Sequence, residues 1–109
     1  MTTMPEPEYR LGFTMYMPPN GGKSHVYTVV SGPEADMARA LGRAGAEFDI
    51  EVLSTGEVSM TVEMEREDGT EVFAIEICDN TDEAVPAAVT KLINTAYLQM
   101  MREEAKWHA

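Results

Sequence analysis

The stretch Met60–Ile77, MTVEMEREDGTEVFAIEI, decides how this chain folds. On both sides of Asp68-Gly69, apolar residues alternate with acids or threonine, the period of a strand with one buried face. Asp-Gly between two such runs is a strong signal for a two-residue hairpin turn. A turn on Asp68-Gly69 predicts Met64 opposite Phe73, Val62 opposite Ile75 and Met60 opposite Ile77. All six fall on one face, so turn chemistry and hydrophobic pattern agree. Extending that face to the preceding run selects Phe48, Ile50 and Val52, through an odd-length connection around Ser54-Thr55-Gly56. The opposite face, by exclusion, carries Glu47, Asp49, Glu51, Glu63, Glu65 and Glu76.

That acidic face belongs to a wider asymmetry. From Glu47 to Glu83 there are thirteen acids against Arg66 alone, a net of -12 in a chain whose total is -11. The segment before it is neutral, with Glu6, Glu8, Glu34 and Asp36 balanced by Arg10, Lys23, Arg39 and Arg43. Such a field repels nucleic acid and anionic membrane and attracts basic surfaces. With 109 residues the chain is long enough for one domain with its own core. Cys78 is the single cysteine, so no intramolecular disulfide forms, and a reducing cytoplasm is the expected compartment. No apolar run reaches membrane-span length, and the N-terminus lacks the basic start of a signal peptide. The expected organisation is a flexible leader over residues 1–8 and a single α+β domain over residues 9–109.

Working outward, Leu11, Phe13, Met15 and Met17 alternate with Arg10, Gly12, Thr14 and Tyr16, a second one-sided strand. Pro18-Pro19-Asn20-Gly21-Gly22 breaks it, and His25–Val30 (HVYTVV) is β-branched and aromatic, so the two runs read as a hairpin. Ser31-Gly32-Pro33-Glu34 opens a short helix with the apolar stripe Met37, Ala38, Leu41 and Ala44, ended by Gly45. The last helix is predicted to start at Thr81 or Asp82 and to bury Val85, Val89, Leu92, Ile93, Ala96, Tyr97 and Met100. Beyond Met100 that face meets Glu103 and Glu104, so the final turns are expected to leave the core. The predicted fold is an antiparallel sheet of about five strands in the order ββαβββα, with both helices on one face. Leu98 and Met101 lie away from the buried stripe, and with Trp107 they are candidates for an oligomer contact. Scattered surface apolar residues are the competing explanation.

No reaction is legible, and the chain reads as a non-enzyme with no cofactor and no metal. Gly21-Gly22-Lys23-Ser24 has the tail of a phosphate-binding loop, but Met17 stands where its first glycine belongs and a strand follows the serine. A Pro18–Lys23 loop offered to a small ligand is a further option. His25, Cys78 and His108 are too few and scattered for zinc, and Asp79–Glu83 lacks a calcium loop's glycine and spacing. A Cys78-His25 nucleophilic pair has no flanking motif to support it. Paired carboxylates abound, but acid–base chemistry needs two with contrasting environments.

From Pro33 onward the order helix, three strands, helix resembles the double-stranded RNA-binding domain in topology. Where that family opens its second helix with lysines, this chain has Asn80-Thr81-Asp82-Glu83, so RNA binding does not carry over. The chain is also similar to small phage proteins with an α-β-β-β-α sandwich domain, on Thr81-Asp82-Glu83-Ala84-Val85 at the helix start and over Pro33–Met100. That resemblance implies a viral accessory protein and leaves the N-terminal hairpin unexplained.

Two expectations follow for the acidic face. Acids on a solvated sheet face serve solubility. Against that, Glu47 is predicted opposite Glu63, and like charges across a strand pair destabilise it. A face that tolerates such repulsion points to a basic protein partner, with Glu47, Asp49, Glu51, Glu63, Glu65 and Glu76 as its contact residues. The expected partner is a nucleic-acid-binding complex whose groove the protein occupies as a decoy, with no direct contact to nucleic acid or membrane. The alternative is a small homo-oligomeric accessory protein, a homodimer through its last helix.

Overall fold

Alternation, turns and helical periodicity produce seven elements. They are β1 (Glu8–Met17), β2 (Gly22–Ser31), α1 (Pro33–Arg43), β3 (Glu47–Val52), β4 (Val58–Arg66), β5 (Gly69–Cys78) and α2 (Ala84–His108). The structure, a computed structural model, describes the backbone of residues 7–17 and 22–108 and the side chains of residues 7–16 and 22–105. The leader's residues 1–6 and residues 18–21 of the Pro18–Lys23 loop lie outside it.

The five strands form one sheet in the order β2-β1-β3-β4-β5. It is mixed, not wholly antiparallel: β1 and β3 run parallel, with Thr14 beside Asp49 and Met15 beside Ile50. The cause is α1, which carries the chain from outer β2 back across β1 to begin β3 in the direction of β1. Pro33 is pre-set for the helix start behind Gly32, whose φ of 68° suits glycine. At the other end Gly45, at φ 93°, turns the chain so that Ala46 N donates to the Leu41 carbonyl at 3.0 Å. α2 begins two to three residues later than the sequence predicts. Thr81 precedes it, with its Oγ1 accepting from Ala84 N at 3.0 Å.

Both helices cover the same face, α1 over β1 and β2, α2 chiefly over β5. The core lies between, with Leu11, Phe13, Phe48, Met60, Val62 and Met64 from the sheet against Leu41, Leu92, Ile93 and Ala96 from the helices. Phe13 and Phe48 meet edge to face across the parallel pair, with ring centroids 5.5 Å apart. Ala44 of the predicted α1 stripe is exposed, and Ala35 is buried in its place. No helix among the described residues is long and apolar enough to cross a membrane.

β3 and β4 pair as predicted, Phe48 with Val62, Ile50 with Met60 and Glu47 with Glu63. The β4–β5 hairpin departs from the prediction. Its turn lies on Glu67-Asp68, with Arg66 paired to Gly69. A bulge then interrupts the ladder, because Glu63 pairs with Val72 while Val62 pairs with Ala74, leaving Phe73 as the extra residue. Phe73 and Ala74 both point into the core, and every later residue of β5 is on the opposite face from the one predicted. Ala74, Glu76 and Cys78 therefore sit on the helix side, opposite Val62, Met60 and Val58, while Ile75 and Ile77 face outward.

As the sequence predicts, no described residue of α2 after Met100 is buried in the core. Beyond Met100 the helix stays tied to the sheet by Arg66, whose Nη2 meets Glu103 Oε2 at 2.7 Å and whose Nε meets Glu71 Oε2 at 3.3 Å. The same guanidinium lies 5.3 Å from the Phe73 ring centroid. The single base of the acidic segment is a clamp between hairpin and helix.

Candidate functional site

With both helices on one side, the other face of the sheet has no layer over it among the described residues. Strand register lays that face out in rows. One row runs His25, Thr14, Asp49, Thr61 and Ile75, and extending the parallel register by one residue places Lys23, Tyr16, Glu51, Ser59 and Ile77 beside it. Continuing the parallel register gives a third row, Tyr27, Gly12, Glu47, Glu63 and Val72. The face is thus cationic and aromatic on β2 and β1, acidic on β3 and β4, and apolar on β5.

The acidic centre is a shallow cleft of about 270 Å³ that gathers Glu47, Asp49, Glu51, Glu63 and Glu65 beside Tyr16. Five of the six predicted contact acids are therefore together. Glu76 is not among them, because the bulge turns it to the helix side opposite Met60. Alternate acids along β3 repeat at about 6.8 Å, and neighbouring strands lie about 4.8 Å apart, so carboxylates crowd in both directions. Glu63 registers the crowding. A hydrogen bond shared with the Asp49 carboxylate, then partial burial, then the charges of Asp49 and Glu47 hold its carboxyl above the ordinary value of 4.5. Such a site attracts cations, and no group of three or more ligating side chains among the described residues is placed to hold a metal ion.

The flanking half is built differently. A Cβ on Gly12 would meet Tyr27 Cε1 at 3.0 Å, so glycine lets the tyrosine ring lie flat across β1. The Arg10 guanidinium stacks over that ring, 4.0 Å from its centroid, and Lys23 lies 5.7 Å from the Tyr16 ring centroid.

The remaining candidates are dispersed. His25 lies on edge strand β2 and Cys78 on edge strand β5, four strand spacings or about 19 Å apart, so they form no nucleophilic pair. Burial first, then the charges of Asp79, Glu76 and Glu57, push the Cys78 thiol up from 9.0, which keeps it protonated and unreactive at neutral pH. Leu98 and Met101 are 57% and 42% exposed on α2, as their spacing predicts. The side chain of Trp107 lies outside the described residues.

Sequence reasoning missed Ile75 and Ile77, which with Val72 form an apolar margin of this face, each about half exposed. The β-branched run was visible, but a single-face pattern assigned its isoleucines to the core. No known protein family, curated protein or solved structure matches the chain.

Proposed function

We propose that the protein is a non-enzymatic acidic binding protein, a phage-type inhibitor or decoy of the anti-CRISPR or anti-restriction class. Its uncovered sheet face occupies the basic groove of a nucleic-acid-binding defence complex. The observation that carries this reading is the gathering of Glu47, Asp49, Glu51, Glu63 and Glu65 in one open cleft. Glu47 stands directly opposite Glu63, an arrangement that costs the sheet stability and that solubility does not require. A Lys/Arg groove shaped for a phosphate backbone has the charge density to meet such rows. Flat strands present the carboxylates without a loop to order on binding.

The test is displacement. A basic nucleic-acid-binding protein captured by the wild type from bacterial lysate is loaded with its own nucleic acid, and the acidic protein is titrated in. Displacement that weakens steeply with salt, and that disappears when Glu47, Glu63 and Glu65 are changed to lysine with the fold intact, is the expected result. Equal displacement by the charge-reversed protein would sink the assignment.

A second reading, a homo-oligomeric accessory protein using α2, is favoured by the exposure of Leu98 and Met101 on one helix. There Leu98→Glu or Met101→Glu dissociates the assembly, and charge changes on the sheet do little.

A further inference from the structure

β5 is an edge strand, so one side of its ten-residue backbone has no strand partner among the described residues. Its side chains on the uncovered face are Thr70, Val72, Ile75 and Ile77, with no acid among them. A long edge bearing a β-branched row is a template for another strand. The bulge at Phe73 disturbs only its first half, and from Ala74 to Cys78 the ladder is regular.

The helix above completes this margin. Pro86, Val89 and Thr90 share a cavity with β2, so that flank of α2 looks toward the β2 side. At 3.6 residues per turn the opposite flank carries Lys91, Thr95, Leu98 and Arg102, all exposed, and it overhangs β5. Below it, on the helix side of β5, lies the half-buried Glu76. No described ion pair engages Lys91, Arg102 or Glu76. The margin thus holds both signs of charge around an apolar centre. Elsewhere on the Glu47–Glu83 segment the excess of acid holds like surfaces apart.

We infer that two copies of this chain pair edge to edge through β5, antiparallel about a two-fold axis, joining their sheets into one. The pairing sets Lys91 of each copy toward the other's Glu76, with Leu98 further along the same flank and Arg102 about 16 Å beyond Lys91. A register centred on Ile75 places Ala74 opposite the second copy's Glu76, so the two Glu76 carboxylates do not meet. That register overlaps Val72–Cys78, an edge about 23 Å long, which on a molecule 20 Å thick buries about 460 Å² per copy. The total of about 900 Å² is that of a weak, transient interface, in keeping with a dimer that dissociates on dilution. The acidic clefts stay open, two on one continuous surface, so the pairing holds whether or not the proposed partner is right.

Light scattering on the full chain across a concentration series tests it. The wild type is expected to be a dimer that dissociates on dilution. Ile75→Lys with Ile77→Lys is expected to be monomeric at every concentration with an unchanged circular dichroism spectrum. Glu76→Lys and Lys91→Glu should each weaken the dimer about tenfold, and the two together should restore it to within about threefold. These two charge changes lie outside the core and decide the matter even if the isoleucine variant misfolds. A wild type that stays monomeric, a charge swap that restores nothing, or a dimer abolished by Met101→Glu and kept by the isoleucine variant would each overturn the inference.

Discussion

β4 has two neighbours, and it meets them differently. With β3 it pairs without interruption from Glu47 opposite Glu63 to Val52 opposite Val58. With β5 it pairs through a bulge that changes the register by one residue between Val62 and Glu63. β3 is held from both sides, by β4 and by β1, and a slip would expose Phe48. β5 has a strand on one side only and α2 resting on it. Its register is therefore free to follow what packs best under the helix. The solution buries the large Phe73 and the small Ala74 in succession and releases two isoleucines. A central strand inherits its register from its neighbours, whereas an edge strand takes it from the layer above.

The largest expected effects break this comparison at the bulge itself. Phe73→Ala removes a ring 5% exposed and should cost about 3 kcal/mol. Ile75→Ala, two residues on, should cost under about 1 kcal/mol in dilute solution, because that side chain is 58% exposed. An uninterrupted hairpin would bury both and make both losses large. Urea unfolding of the two variants at low protein concentration separates the registers directly.

Ala74→Leu probes the same bulge from the opposite direction. On the predicted register Ala74 faces solvent and a larger side chain is harmless. In the observed one it is 6% exposed on the side α2 covers, and the added volume should cost about 1–3 kcal/mol. Little change in the urea midpoint would count against the bulge.

Much of this fold is legible in the residues, because alternation with one apolar set defines Leu11–Met15, Phe48–Val52 and Met60–Met64 without ambiguity. The helical stripe Val89–Met100 is equally plain. Five of the six acids of the candidate cleft follow from that alternation, since the buried face of β3 and β4 fixes the other one. Glu76 and the outward isoleucines were not legible. Asp68-Gly69 locates the turn but leaves open which two residues occupy its centre, and Glu67-Asp68 takes it. A bulge has no sequence signal here, since Val72–Ile77 offers apolar residues on both faces. The parallel β1–β3 pairing is likewise a consequence of where α1 crosses, not of any residue in either strand.

Arg66→Ala sharpens the comparison at the far end of β5, where the hairpin is fastened to α2. The side chain loses charged hydrogen bonds to Glu103 at 2.7 Å and Glu71 at 3.3 Å, with its stacking on Phe73. The pairs are partly exposed, so the cost should be modest, about 1 kcal/mol or roughly 4 °C in Tm. Arg66→Lys should recover less than half, since a lysine cannot bond two carboxylates through one planar fork. Hydrogen exchange should show the loss concentrated in the last turns of α2. A uniform loss along the chain would mean that Arg66 is no clamp.

The smallest effect belongs to the regular side of β4, where the ladder is perfect but the charges are not. Glu63→Gln keeps the shape and hydrogen bonding of the side chain while ending its repulsion with Asp49 and Glu47. At pH 7 the variant should be more stable than the wild type by about 0.5 kcal/mol. The sign with pH follows from Glu63 being held above 4.5 in the folded protein. Between the unfolded and folded values the native state binds the extra proton. Stability therefore falls as pH rises through that window, and above it the penalty is complete. Acidification from neutrality protonates Glu63 and relieves the wild type, so the advantage of Glu63→Gln should shrink as pH falls through the folded value. Urea midpoints at pH 7 and pH 4.5 measure this, and two parallel pH profiles would mean that the cleft stores no repulsion at Glu63.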